Sequence, residues 1–319
     1  MSGSKRLFLA TVADAATATT ALHKHLNTNV TTCSTYFFVP LFSGILGSLA
    51  DKAFPTMLLS PGSLILQIKL ASLFDAMYTD YAVASYTISD VSYEYKEVIV
   101  HGDVAAAIMS MQTGGNLTIH TQSYRNYTTF IGAVSSASNI LPIKRLSCNA
   151  LLFAFRKTAD ISVTSKYCLS RVAPENFLDA IPGEANLTAD SGSFQLVIGS
   201  ERVPQVALSH TCDYMCELLK TFHELTDSVS GYGEKFDSAK YTLKTSGSTS
   251  GFVIGLDLDA FSLSDDTTRS GRNTTGDQIT YEIRSSGGAL TTGTLQVDTF
   301  AMFNMALLFQ PGGIILPSY

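Results

Sequence analysis

The stretch Thr294–Tyr319 reads TLQVDTFAMFNMALLFQPGGIILPSY, and from Thr299 to its end it carries no charge. Such a run is long enough to cross a bilayer, for which about 20 apolar residues suffice. Two features argue against that reading. Asn304 and Gln310 would sit in lipid, and Pro311-Gly312-Gly313 would break the helix and leave backbone groups unsatisfied. What remains is a strand-like run, a turn cluster and a short apolar tail. A second uncharged run, Leu26–Ala50, is interrupted by Asn27, Asn29, a Thr cluster and Pro40. No membrane span is expected.

Working outward, the same grammar recurs. Short apolar or alternating runs stand between Gly, Pro, Asn and Ser clusters: SLILQIKLAS from Ser63, SYEYKEVIV from Ser92, NLTIHTQSY from Asn116, NALLFAFRK from Asn149 and SFQLVIGS from Ser193. KYTLKTS from Lys240, GFVIGLDL from Gly251 and QITYEIRSS from Gln278 continue the series. This is the rhythm of a β-sandwich. Helical periodicity is rare. It is clearest over Thr211–Thr226, where Tyr214, Leu218, Phe222 and Leu225 share one face and Glu217, Lys220 and Glu224 lie off it. VAAAIMSMQ from Val104, stopped by Gly114-Gly115, predicts a second helix, and LFSGILGSLADKAF predicts helical turns ahead of Pro55. There is no internal repeat and no heptad.

Composition agrees. The 319 residues suffice for one large or two ordinary domains. Charged residues are only 15% against about 25% in a typical domain, and the 36 Ser and 34 Thr fill the gap. Thr favours pleated, half-buried surfaces. A net charge of −6 with scattered Lys and Arg offers nothing to a phosphate backbone, so wrapping of nucleic acid is not expected. Five cysteines, an odd number in a long chain, point to a reducing compartment rather than a disulfide scaffold. Sequons begin at Asn29, Asn116, Asn126, Asn186 and Asn273, which chance accounts for in a chain this rich in Thr. Lys5-Arg6, LFLATVA and Ala13-Asp14-Ala15 resemble a signal peptide, but the apolar stretch is at the lower length limit and is read as part of the fold.

Catalytic spacings are missing. No Gly-Lys dipeptide is present for a P-loop, Gly231-Tyr232-Gly233 lacks the third glycine of a dinucleotide turn, and Gly247–Gly251 has Thr249 where a nucleophile elbow has serine. Cys212 and Cys216 lie one helical turn apart near His210, without the second pair that zinc sites use. His23-Lys24-His25 and Cys33 have no carboxylate partner nearby. Asp257, Asp259 and Asp265-Asp266 do not match a calcium loop, and alternation in GLDLDAF puts Asp257 and Asp259 on a solvated face opposite Leu256 and Leu258. No catalytic, cofactor-binding or metal-ligating residue is expected, and no enzyme activity.

Several segments together resemble the double jelly-roll major capsid proteins of the Polinton, virophage and adenovirus-like lineage of DNA viruses. VPLFSGILGSLADKAFPTMLLSPGSLILQIKLAS (Val39–Ser72) is similar to a strand, helix, proline and strand passage late in that family's first roll. ILPIKRLSCNALLFAFRK (Ile140–Lys157) resembles an early strand pair of the second. FQLVIGSERVPQ (Phe194–Gln205) before the helix from Thr211 and the strand, loop and strand of Phe252–Ser285 follow in family order, as does the closing run from Leu295. Together these segments cover somewhat under half of the chain. The pattern departs in one place: five strands can be placed ahead of Asn126, where a roll has eight.

The resemblance implies an all-β chain with a few short helices: a double jelly roll of two eight-stranded sandwiches side by side. The first, residues 1–125, would be short or N-terminally incomplete; the second, residues 126–319, would carry an inserted helix near 211–226. It implies a structural capsid protein, located in the virion and assembled inside the host cell. Its partners would be copies of itself, as homotrimeric, pseudo-hexagonal capsomers tiling an icosahedral shell, together with penton and minor capsid proteins. No cofactor and no specific nucleic-acid sequence would be bound. Abundant hydroxyl side chains and low charge suit a subunit that buries large mutual surfaces. The tail ILPSY and the front segment through Phe42 are candidate contact regions, or else they fill their own cores. Two other classes share the composition. A secreted or surface adhesin or carbohydrate-binding sandwich would show paired cysteines and glycans, and a glycoside-active enzyme would need two carboxylates about 5 to 10 Å apart in a cleft.

Overall fold

A computed structural model of the chain describes residues 54–59, 65, 67–69, 90–93, 97–114, 117–161, 174, 192–221, 252–259, 271–285, 288–310 and 314–318. Their strands are β1 Leu117–Ile131, β2 Ser136–Leu141, β3 Cys148–Lys157, β4 Ser193–Ile198, β5 Glu201–Leu208, β6 Val253–Asp257, β7 Ile279–Arg284, β8 Leu295–Gln310 and β9 Ile314–Ser318. The helices are α1 Gly102–Thr113, the single turn α2 Thr158–Ile161, and α3 Thr211–Thr221, with a 3-10 turn at Thr56–Leu58.

The pairing has a simple arithmetic. β1 pairs with β8, β2 with β7, β3 with β6 and β4 with β5, every pair antiparallel. That is one long nested hairpin. Two further ladders, β3 with β8 and β4 with β7, roll the hairpin into two stacked sheets. Sheet A runs β1-β8-β3-β6, with β9 beside β8, and sheet B runs β2-β7-β4-β5. Eight strands nested and rolled in this way are a jelly roll. β1 opens at Leu117 and runs through position 126.

The sequence explains why the two sheets face each other. On β3, Leu151, Phe153 and Phe155 point inward, as do Ile254 and Leu256 on the paired β6. Sheet B answers with Phe194, Leu196 and Ile198 of β4 and Ile279, Tyr281 and Ile283 of β7. Phe153 meets Phe194 edge-on at 4.9 Å and Tyr281 at 5.5 Å, a geometry that aromatic quadrupoles favour. The Tyr281 hydroxyl lies 2.7 Å from both Thr129 Oγ1 and Asn139 Nδ2, so its polar tip is satisfied inside the core. Burial pushes that phenol above its usual pKa, and the two hydrogen bonds act in the other direction.

Helix α3 lies on the outside of sheet A. Tyr214, Leu218 and Thr221 are its buried face and Cys212, Cys216, Leu219 and Lys220 its exposed one, so the periodicity read from Thr211 holds over the described turns. Position 255 on β6 must be glycine for this contact, because a Cβ there would stand 2.9 Å from Leu218 Cδ1 and 3.1 Å from Leu218 Cα. The Tyr214 hydroxyl reaches the carbonyls of Gly192 (2.7 Å) and Leu208 (2.9 Å), tying the helix to the flanks of β4 and β5. The β4–β5 turn is the two-residue loop Gly199-Ser200, and Gly199 has φ +60°, a left-handed value that a hairpin of this length needs.

β1 and β8 have 15 and 16 residues, roughly 50 Å of strand, and outrun the sandwich. β3 accompanies β8 only as far as Phe303; from Ala306 to Gln310 β9 takes its place. This arm has its own core, in which Leu58, Met305, Leu307 and Phe309 are buried with Phe54, Ile108 and Ile315 against them. Gln112 of α1 fastens it by donating to the carbonyls of Gln310 (2.9 Å) and Leu58 (3.3 Å).

Five sequence expectations change or fall outside. Residues 97–100 of the run from Ser92 carry no strand pairing, and Val98 and Ile99 are exposed: alternation supplies a face but not a partner strand. The helix expected from Val104 begins at Gly102, where the His101 side chain accepts from the Asp103 N–H. The runs from Ser63 and Lys240 and the turns ahead of Pro55 lie wholly or mostly outside the described residues.

Candidate functional site

A jelly roll offers its function on its two outer sheet faces and its ends, and here the two faces differ in chemistry. On sheet B the outward residues form cross-strand rows. Register places Ser138 beside Glu282 and Glu282 beside Gln195; the next row is Ser136, Arg284 and Ser193. Arg202 of β5 pairs with Val197, also outward. Gln195 is buried beneath this face. Its amide donates to the carbonyls of Pro204 (2.9 Å) and Gln205 (3.1 Å), and its oxygen accepts from Arg202 Nη1 at 2.7 Å. Glu282 Oε2 stands 3.3 Å from Arg284 Nη2 and 3.9 Å from Arg202 Nη1. Two shallow depressions of about 150 and 140 Å³ share Glu282 and Arg284 as lining. Each is smaller than the roughly 300–1,000 Å³ of a small-molecule pocket.

Sheet A is less polar outside. Leu152, Phe300 and Asn126 form one row and Ala150, Met302 and Tyr124 the next, with Phe300 and Tyr124 exposed. Beside them lies a buried ion pair. Asp298, only 4% exposed, accepts from Arg156 Nη2 at 2.6 Å, Gln296 Nε2 at 2.9 Å and Thr128 Oγ1 at 3.0 Å. Charge this deep is tolerated only when paired and hydrogen-bonded. At the end of the sandwich, Glu201 bonds to Arg272 at 2.5 Å, which holds its carboxyl below the usual carboxylate range and joins the β4–β5 hairpin to the segment before β7.

The residues weighed from sequence do not converge. Cys212 and Cys216 are exposed on α3, and among the described residues no three His, Cys, Asp or Glu side chains are placed to hold a metal ion. Asp257 and Asp259 are half-buried rather than fully solvated; Asp257 Oδ1 accepts from the Asp259 N–H at 2.9 Å, and Leu256 and Leu258 opposite them are buried as alternation implies. Cys148 is the buried thiol among the described cysteines, its pKa raised to about 12 by desolvation first and by the Asp259 charge second. Asn126 and Asn273 are exposed, with Asn273 Oδ1 bonded to Thr275. His23, His25, Cys33, Asp265, Asp266, Asn29, Asn116 and Asn186 lie outside the described residues. The tail is a strand of its own fold: β9 pairs with β8, and Ile315 packs into the arm core. Among the described residues no helix is long and apolar enough to cross a membrane. The Arg202, Glu282, Arg284 and Gln195 cluster escaped sequence reading, because it draws on three strands that only the register brings together.

No protein-family model matches the chain, and no curated protein does. Solved structures do match. The PBCV-1 virus capsid is 10% identical over 67% of this chain and 54% of its own, with a TM-score of 0.37. The Faustovirus major capsid protein is 9% identical over 66% and 36%, at 0.40, and that of mavirus 9% over 63% and 41%, at 0.27. All three are virus capsid structures. The chain spans about half of the length of the first and less of the other two. The jelly-roll assignment itself stands on the nested pairing.

Proposed function

We propose that this chain is a capsid subunit, a structural protein that works by associating with copies of itself in a virus shell. The observation that carries this reading is the nested pairing of β1 to β8, in the same order of segments that resembles the double jelly-roll capsid proteins. Viral capsid domains are among the main users of this fold. In the finer form of the reading, the residues ahead of β1 contribute to a first roll, and the eight nested strands from Leu117 form a second. Three chains then make a pseudo-hexagonal capsomer, with heterologous contacts around the threefold. Penton and minor capsid proteins complete the shell, and the chain itself performs no catalysis. Exposed Phe300 and Tyr124 on the outer face of sheet A suit burial between subunits.

The test is the mass and shape of the purified protein by light scattering and negative-stain microscopy. A particle of about 103 kDa, three times 34.3 kDa, with threefold shape or a larger shell, is the expected result. A monomer at high concentration refutes it, and a glycan-binding monomer would point to the adhesin class instead.

A further inference from the structure

We propose that the outer face of sheet B carries an oxyanion site made by Arg202 and Arg284, in which the chain's own Glu282 holds the place of the ligand. The first observation is a charge mismatch. Two guanidinium groups approach a single carboxylate oxygen, Glu282 Oε2, at 3.9 and 3.3 Å. One carboxylate balances one of them, so the cluster keeps an excess positive charge on a chain whose net charge is −6. Both arginine side chains are more than half exposed, at 55% and 65%, while Glu282 is 25% exposed. The anionic partner is therefore the sunken one and the donors are turned to solvent.

The second observation is preorganisation. Arg202 is held from below by Gln195, which is only 6% exposed and spends both ends of its amide on the task. Its Nε2 is locked onto two backbone carbonyls of β5, so its oxygen has one orientation in which to receive Arg202 at 2.7 Å. A buried amide that fixes a surface arginine lowers the entropy lost when that arginine takes a ligand. Each guanidinium has five N–H donors, and these contacts occupy a minority of them. The adjoining space, about 150 Å³ with Ser193 and Ala207 in its wall, fits one small group rather than a whole metabolite. The ligand class is an oxyanion, namely a sulfate, a phosphate or a carboxylate, bridged by the two arginines.

Glu282 gives the idea a distinctive test. If it occupies the anion's place, removing its charge must improve binding, whereas removing either arginine must weaken it. Thermal unfolding of the full chain is followed while inorganic sulfate replaces chloride at constant ionic strength, because a ligand of the native state raises the midpoint with concentration. Sulfate also stabilises proteins generally, and the comparison between variants removes that common part. Arg202→Gln and Arg284→Gln are expected to weaken the specific response about tenfold in sulfate concentration, and Glu282→Gln to strengthen it by a similar factor. Equal responses in the native chain and all three variants, or a weaker one in Glu282→Gln, overturn the proposal. Acetate in place of sulfate reads the carboxylate arm. A fall in the light-scattering mass of Arg284→Gln identifies a carboxylate on a second copy as the occupant; an unchanged mass with a lost sulfate response identifies a free oxyanion. Measured on the dissociated chain at low concentration, the sulfate response reads the site apart from association, so it can fail while the capsid reading stands, and the converse.

Discussion

Replacing Gly255 with alanine tests how α3 is seated on sheet A. A Cβ at this position would lie 2.8 Å from Thr221 Oγ1, 2.9 Å from Leu218 Cδ1 and 3.1 Å from Leu218 Cα. The first two neighbours can rotate. The third is helix backbone and retreats only if α3 moves off the sheet, where Tyr214 anchors it through its hydroxyl. Overpacking of this kind costs about 1–3 kcal/mol. Against it stands the stiffening of the unfolded chain by alanine, about 0.4–1 kcal/mol in the stabilising direction, since the backbone at 255 is not left-handed. The steric term wins. The net loss is about 1–2 kcal/mol, or roughly 2–8 °C in Tm for a cooperative unit of this size. Gly276 supplies the control, because a Cβ there meets nothing within 4 Å and only the stabilising term remains. Urea and thermal unfolding of the two variants decide the matter. Equal midpoints for Gly255→Ala and Gly276→Ala would refute the packing of α3 described here.

Further outcomes are expected. Asp298→Ala removes the carboxylate that pairs with Arg156 in a mostly buried site and should cost about 3 kcal/mol, the low end for a broken buried pair because Arg156 is 19% exposed. Removing Arg156 as well should recover part of that loss in a double-mutant cycle, and strictly additive losses would contradict a coupled pair. Tyr281→Phe should cost about 1–2 kcal/mol in denaturant unfolding, since Thr129 and Asn139 lose a buried partner. Alkaline pH should weaken the fold. The native Cys148 thiol titrates near 12 and the unfolded one near 9.0, so the native state binds the extra proton between those values and stability falls as pH rises through that window. A Cys148→Ala chain whose urea midpoint falls just as steeply above pH 9 would show that another group is responsible.

Much of the second half of the fold was legible. The closing run from Thr294 reads as a strand because Asn304 and Gln310 deny it to a membrane and its apolar residues recur with the β period; β8 is that strand. The helix from Thr211 declares itself through Tyr214 and Leu218, which are buried. The run from Ser92 misled over residues 97–100, because Val98, Ile99 and Val100 satisfy a strand pattern but have no strand partner among the described residues. The candidate oxyanion cluster was invisible, since Gln195, Arg202 and Glu282 belong to β4, β5 and β7 and no local spacing relates them.

The amino-acid pattern by itself determined that the chain is mostly β, which residues of each strand face a core, and where turns and one amphipathic helix interrupt them. These are properties of neighbours in sequence, governed by the two-residue and 3.6-residue periods of the backbone. Which strand pairs with which was decided only by tertiary structure. A ladder between Leu117 and Phe309 depends on the whole chain between them folding back, and one sandwich face accepts many strand orders with similar burial. The same holds for Gly255 beneath Leu218, Asp298 beside Arg156, and two arginines sharing one glutamate: each is a meeting of distant segments, set by register rather than by composition.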